Sequence, residues 1–214
     1  QLDKITGAAI KIATEPDTSE VTDESNTTGG DADNTATTVD KLHIFVGDSR
    51  TVGLSNAMGC VSYDKLLQIR TEENLTEYYL AEVGSGYSWY STKALPKLVK
   101  MLNENPAATV ILNHGINDLG NIDQYIASYQ WLIRVYPNTK FVIMSVNPVN
   151  RKLYKGYAKP ANITVFNQKM QAAFPNNFVN TYQYLQSMGF NTADGLHYDS
   201  LTYMNLYNYM QPYL

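Results

Sequence analysis

The chain has 214 residues, 44% of them hydrophobic and 17% charged, which suits one domain with a sizeable core and leaves too little for two ordinary enzyme domains. No apolar run approaches the roughly 18 residues needed to cross a bilayer, and a formal charge of −4 excludes a protein held to nucleic acid by phosphate contacts, which needs a basic excess. A single cysteine, Cys60, excludes an intramolecular disulfide and a cysteine-based zinc cage, and is expected as a small buried hydrophobe.

Acidity is concentrated at the start of the chain. Residues 1–40 hold nine acids against two lysines, a net of −7, whereas residues 41–214 hold the other fourteen bases and eleven acids, a net of +3. Between Thr14 and Thr38 almost no large side chain is apolar, so nothing offsets the entropy of ordering the backbone. Residues 1–40 therefore read as an acidic, low-complexity linker or stalk, with residues 5–13 a candidate edge strand, and residues 41–214 as the folded domain. A stalk rich in Ser, Thr, Asp and Gly suits a tether to a cell wall or surface. The expected location is accordingly secreted or extracellular, on a bacterial surface, with the export signal outside these residues.

Beyond residue 40, strands are expected at Leu42–Val46, Tyr79–Val83, Thr109–Asn113, Phe141–Val146 and Phe178–Asn180, where short runs are rich in β-branched and aromatic residues. Helices are expected at Thr92–Asn103, Ile122–Val135, Ile163–Phe174 and Leu201–Tyr213, where apolar residues recur three or four apart, as in Tyr125, Tyr129, Leu132, Ile133 and Tyr136. Near-continuous apolar strands separated by helices specify an α/β fold with a doubly wound parallel sheet of about five strands. Ligands bind such sheets outside the carboxyl ends of the strands, so the residues just past each strand carry the functional reading.

Past the first strand stands Gly47-Asp48-Ser49-Arg50. Glycine permits a sharp turn, and a serine there sits at the start of a helix whose N–H groups face an approaching anion; an ordinary Asp-Ser helix cap has the same spelling. Near the other end comes Asp194-Gly195-Leu196-His197. A serine hydroxyl needs a base to attack at neutral pH, and an imidazole needs a carboxylate to fix its tautomer. Asp194 lies three residues before His197, close enough across a turn to reach Nδ1 and leave Nε2 for Ser49, with Asp199 the competing partner. After the third strand, Gly115-Ile116-Asn117-Asp118 offers an amide able to donate to a developing oxyanion, and Gly84-Ser85-Gly86 after the second strand offers a backbone N–H. Each of these also reads as an ordinary cap or loop taken alone.

The four segments in this order resemble the blocks of the SGNH hydrolases, also called GDSL-type esterases and lipases, over residues 41–214. The resemblance implies a flavodoxin-like three-layer α/β/α domain, with Ser49 as nucleophile, His197 as base and Asp194 as its orienter. It also implies an oxyanion hole from the Ser49 N–H, the Gly86 (or Gly84) N–H and the Asn117 side chain, and neither a metal nor an organic cofactor. Two departures are visible: Arg50 stands where the family name expects leucine, and an asparagine often found upstream of the second-block glycine is missing. Arg50 is expected either to place positive charge beside the nucleophile for an anionic substrate or to pair with a surface carboxylate. Tyr87 and Trp89, beside the second block, are further candidates for substrate contact.

For the substrate, the informative stretch is Asn147–Pro160, where Arg151, Lys152, Lys155 and Lys159 interleave with Tyr154 and Tyr157. Long loops at the ligand-binding edge are often functional, and this one suits sugar rings or an anionic wall polymer, or is simply solvated. The final-helix tyrosines Tyr203, Tyr207 and Tyr209 fall at packing intervals and are expected as half-buried helix faces. The expected activity is hydrolysis of a short acyl ester, an acetyl group on carbohydrate, with an O-acyltransferase or a catalytically silent binding module as alternatives.

Overall fold

A computed structural model describes residues 41–214; the expected linker, its candidate edge strand and the domain boundary lie outside the described residues. Strand β1 (Lys41–Gly47) leads into helix α1 (Ser49–Ala57), followed by the edge strands β2 (Val61–Ser62) and β3 (Leu67–Glu72) and then β4 (Leu75–Ala81). Helix α2 (Tyr87–Trp89) runs through a π turn, Tyr90–Ala94, into α3 (Leu95–Glu104), which ends before β5 (Thr109–Asn113). Then come α4 (Ile122–Val135), β6 (Lys140–Met144), α5 (Pro160–Ala173), β7 (Phe178–Val179), α6 (Thr181–Met188) and α7 (Ser200–Met210).

The seven strands form one sheet in the order β2-β3-β4-β1-β5-β6-β7. Five of them, β4-β1-β5-β6-β7, are parallel as expected, and this order reverses direction between β1 and β5, the switch point of a flavodoxin-like sheet. The expected all-parallel sheet needs one correction, because β2 and β3 add an antiparallel edge. Residues 73 and 74 join β3 to β4, and Asn74 supplies the left-handed conformation of that tight turn, φ 61°, which asparagine tolerates better than most residues.

The second strand also begins earlier than expected, at Leu75, because Glu77 is a strand residue despite its charge. It is fully buried and accepts from Tyr207 Oη at 2.7 Å, Arg70 Nη1 at 2.8 Å and Tyr79 Oη at 3.0 Å, with His43 Nδ1 at 3.4 Å. Burial alone raises its pKa, but the four partners outweigh it and hold the carboxyl below its ordinary value. A buried charge is tolerated on those terms only. Above this network Phe45 stacks on Tyr79 with centroids 4.5 Å apart, and Leu54, Tyr203, Leu206, Tyr207 and Met210 from α1 and α7 complete one core. Tyr203 and Tyr207 are buried rather than half-buried. Cys60, expected to be buried, is half-buried against this core.

Side chains alternate across a strand, so Ile44, Val46, Val110 and Leu112 face the opposite side of the sheet, where they are equally buried. On α3, Leu95, Leu98, Val99 and Leu102 are buried at helical spacing, as are Tyr125, Tyr129 and Leu132 on α4. Both faces are thus covered, which exposes only the strand ends as sites for chemistry. Among the described residues no helix is long and apolar enough to cross a membrane.

Candidate active site

Ser49 is the first residue of α1, directly past β1, and is nearly buried. Asp48 caps the helix, its Oδ1 accepting the Arg50 N–H at 2.9 Å, so that the serine's own N–H belongs to the unpaired first turn. Its hydroxyl lies 2.9 Å from His197 Nε2, and His197 Nδ1 lies 2.6 Å from Asp194 Oδ2. An ionised carboxylate only accepts, so Nδ1 carries the proton and Nε2 accepts the Ser49 O–H.

The turn carrying Asp194 and His197 is organised by the carboxylate itself. Asp194 Oδ1 accepts the N–H groups of Leu196 and His197, each at 2.8 Å. Burial pushes its pKa up, but these two donors, the imidazole N–H and the imidazole charge outweigh burial and bring it to about 2. Gly195 makes the turn possible: its φ is +84°, and a Cβ there would lie 2.6 Å from the Asn150 carbonyl. Asp199, the rival partner, is otherwise occupied as the N-cap of α7, accepting from Thr202 N at 2.8 Å.

Asn117 and Gly86 stand in neighbouring loops. Asn117 Nδ2 donates to the Ser85 carbonyl at 2.8 Å, and Ser85 Oγ donates to the Gly47 carbonyl at 3.3 Å, tying both loops to the backbone two residues from Ser49. The Asn117 amide has two hydrogens, so this bond leaves one for a ligand. Of the two candidate glycines, Gly84 has φ +76° with open space around it, a turn residue; a Cβ on Gly86 would stand 2.5 Å from Asp118 Oδ2. Only glycine fits there, which favours Gly86 as the residue shaped by the site.

Asp118, given no role of its own beyond its place in the third block and an ordinary cap, is the hub of this edge. Its Oδ2 accepts the Tyr87 N–H at 2.5 Å and Asn121 Nδ2 at 2.9 Å, and its Oδ1 accepts Tyr125 Oη at 3.0 Å. The carboxylate fixes the peptide that follows Gly86 and so sets the direction of the preceding one.

Arg50 matches neither expectation. It is buried and enters no ion pair with a carboxylate among the described residues: Nε donates to the Leu196 carbonyl at 3.1 Å, Nη1 to that of Asn147 at 2.7 Å and Nη2 to that of Pro148 at 2.9 Å. Its guanidinium also sits 5.1 Å from the Tyr198 ring centroid. The fork geometry of arginine matches three divergent acceptors, and the residue clamps the histidine turn to the segment after β6. Beside it, burial raises the Asp48 carboxyl to about 6, although the Arg50 N–H and charge pull it down. His114 is likewise buried, which lowers its pKa to about 3 and keeps it neutral.

The expected substrate contacts divide into two groups. Tyr87 and Trp89 belong to an aromatic cluster under the Gly86 loop, Tyr87 edge-on to Tyr125 at 5.1 Å and Trp89 5.9 Å from His114. Tyr154 and Tyr157 belong to a wall on the other side. Asn150 N donates to the Gly195 carbonyl at 2.8 Å, and Tyr157 Oη donates to the Ile116 carbonyl at 2.7 Å, so the wall spans from the histidine turn to the Asn117 loop. Among the described residues no group of three or more His, Cys, Asp or Glu is placed to hold a metal ion.

No family model matches the sequence, and no curated protein matches it. Solved structures do. A Streptococcus pneumonia protein named for platelet activating factor is 20% identical with a TM-score of 0.61, covering 99% of this chain and 91% of that one. A member of the lipolytic G-D-S-L family from Veillonella parvula is 12% identical with a TM-score of 0.58, covering 80% and 97%. An acetyl xylan esterase is 17% identical with a TM-score of 0.52, covering 80% and 98%. At these identities the likeness establishes a shared α/β fold.

Proposed function

We propose that this chain is a serine esterase of the SGNH type, acting on short acyl esters of carbohydrate. The observation that carries the reading is the continuous relay Ser49–His197–Asp194, 2.9 and 2.6 Å between successive groups, at the carboxyl edge of the sheet. His197 takes the Ser49 proton as the oxygen attacks the ester carbonyl. Negative charge on the carbonyl oxygen is met by the N–H groups of Ser49 and Gly86 and by the free hydrogen of Asn117. The alcohol leaves with the proton from His197, and water, activated the same way, releases the acid from Ser49. Asp194 stays ionised throughout and stabilises the imidazolium.

The acetyl xylan esterase among the structures of like fold supports a small acyl group on a sugar, as do the tyrosines of the wall. The place of action in this reading is outside the cell, with residues 1–40 as the tether. The same relay serves acyl transfer when a glycan hydroxyl replaces water, and the open side chains of His197 and Asp194, 42% and 52% exposed, leave room for either acceptor. Intact mass after exposure to a fluorophosphonate tests the nucleophile: one adduct on the wild type and none on Ser49→Ala is expected, with p-nitrophenyl acetate hydrolysis lost in the variant. Hydrolysis that survives Ser49→Ala overturns the reading.

A further inference from the structure

The wall between the histidine turn and the Asn117 loop carries four cations within nine residues: Arg151, Lys152, Lys155 and Lys159. Lys152, Lys155 and Lys159 are exposed, and among the described residues none of the four enters an ion pair, unlike Lys97 with Asp64 or Lys169 with Asp123. The wall is also held in shape. Arg151 Nη1 donates to the Gly156 carbonyl at 3.0 Å while its guanidinium lies 5.7 Å from the Tyr154 ring centroid, and Asn150 Oδ1 accepts the Lys152 N–H at 3.1 Å. Acidic groups at the mouth are few and mostly engaged: exposed Asp194 holds the imidazole, Asp118 accepts three donors, exposed Asp199 caps α7, and Glu82, past β4, is exposed. Beneath the same wall, the Arg50 charge rests on carbonyl oxygens rather than on a carboxylate.

Resting on the esterase reading above, we infer that the acylated carbohydrate is a polyanion, a chain bearing repeated carboxylates or phosphates beside the esterified hydroxyls. One sign of charge lining one side of a cleft raises the local concentration of an oppositely charged substrate and speeds its capture, and salt weakens the effect. The exposed lysines, held by no carboxylate among the described residues, take the anionic groups flanking the ester, and the half-exposed ring of Tyr157 packs against a sugar. The ester bond itself is opened by Ser49 as already described, so the wall governs capture and leaves the chemical step alone.

The test compares kcat/KM on three acetylated polymers, a polyuronate, a polyol phosphate and neutral xylan, with p-nitrophenyl acetate as a reference for the chemistry. The polyanion-to-xylan ratio is expected to fall at least about tenfold from about 20 mM to about 300 mM salt, and about tenfold at low salt in Lys152→Glu/Lys155→Glu/Lys159→Glu. Preference for one polyanion identifies its carboxylate or phosphate as the group recognised. A ratio near one that ignores both salt and the substitutions overturns the inference. Affinity electrophoresis of Ser49→Ala in unacetylated polygalacturonate reads the wall without the chemistry. Retardation there that the lysine substitutions abolish, with no ester turned over by the wild type, refutes the esterase reading and leaves the polyanion surface standing; no retardation there or in an unacetylated polyol phosphate refutes the surface.

Discussion

Arg50→Lys tests whether the site is held from beneath. The guanidinium reaches three carbonyl oxygens with three different nitrogens and covers the Tyr198 ring; an ammonium on a shorter reach meets one or two of them. Charge-assisted hydrogen bonds contribute about 1.5–3 kcal/mol each, so losing one or two, together with part of the contact to the ring, lowers stability by about 2–5 kcal/mol. For a domain of this size 1 kcal/mol shifts Tm by about 2–4 °C, giving a fall of about 4–20 °C in thermal unfolding. The released acceptor that matters for chemistry is Leu196, next to His197: a displacement of about 1 Å there reduces the rate by about 100-fold. Because Arg50 is buried with its donors spent on backbone carbonyls, kcat is expected to fall while KM stays put. A raised KM at unchanged kcat and Tm refutes the clamp and restores Arg50 as a substrate contact.

Three further substitutions probe other parts of the machinery. Asn117→Ala removes an oxyanion donor and is expected to lower kcat about 100- to 1000-fold with little change in KM; a KM effect alone places the amide in ground-state binding instead. Gly86→Ala drives a methyl group into the Asp118 carboxylate, so kcat is expected to drop by about tenfold or more through the misdirected N–H, and full activity refutes Gly86 as the donor. Asp48→Asn keeps a good helix cap and removes a carboxyl that burial raises from 3.8 to about 6. The folded state holds that proton more tightly than the unfolded chain, so wild-type stability declines as pH rises from about 4 to about 6, by up to about 3 kcal/mol. The variant's Tm advantage is therefore expected to be small near pH 4 and to reach about 6–12 °C near pH 7. A difference in Tm that does not vary with pH refutes the assignment. Neutral, buried His114 contributes the opposite slope, stability lost as pH falls from 6.5 toward about 3, and the Asn variant exposes it as a steeper acid limb.

Strands β1, β5 and β6 were legible because each is an apolar run long enough to stand out, and Ser49 and Asn117 because they follow β1 and β5, whereas Asp194 and His197 were legible from their own spacing before the last helix. What failed to show follows a pattern. Strand β3, Leu67-Gln-Ile-Arg-Thr-Glu, lies next to the sheet edge, flanked only by two-residue β2, with a mostly half-exposed burial pattern, and no glycine marks its turn. The start of β4 is masked by Glu77, whose charge is satisfied mainly from outside its own strand, by Arg70, His43 and Tyr207, 7, 34 and 130 positions away. Helix α6 has eight residues, too few for a clear period, although Asn180 caps it and Gly189, at φ 83°, ends it. In the site, Arg50 carries no sequence signal of burial, since its partners are backbone carbonyls and any sequence supplies those. The signal for Asp118 was present, a carboxylate beside the candidate oxyanion amide, but its link to Gly86 requires a contact across 31 residues.

These buried groups divide the labour of the site. Ser49 is the one reacting side chain that is nearly buried, while His197 and Asp194 stand open to solvent, so their precision cannot come from packing around the rings. It comes from the backbone that carries them: Arg50 grips the Leu196 carbonyl, Gly195 accepts from Asn150, Ser85 links Gly47 to Asn117, and Asp118 fixes the peptide after Gly86. Support from below leaves the outer surface of the wall, with its lysines and tyrosines, free to vary in charge and shape without moving a reacting atom. Rigid elements that hold the chemistry and a separate loop that selects the substrate are the arrangement that lets one fold serve many esters. In this chain the two meet at one hydrogen bond, Tyr157 Oη to the Ile116 carbonyl, adjacent to Asn117. That bond fixes the wall beside the loop that carries Asn117, so the surface that captures a polymer and the groups proposed to meet the oxyanion are held in one fixed relation.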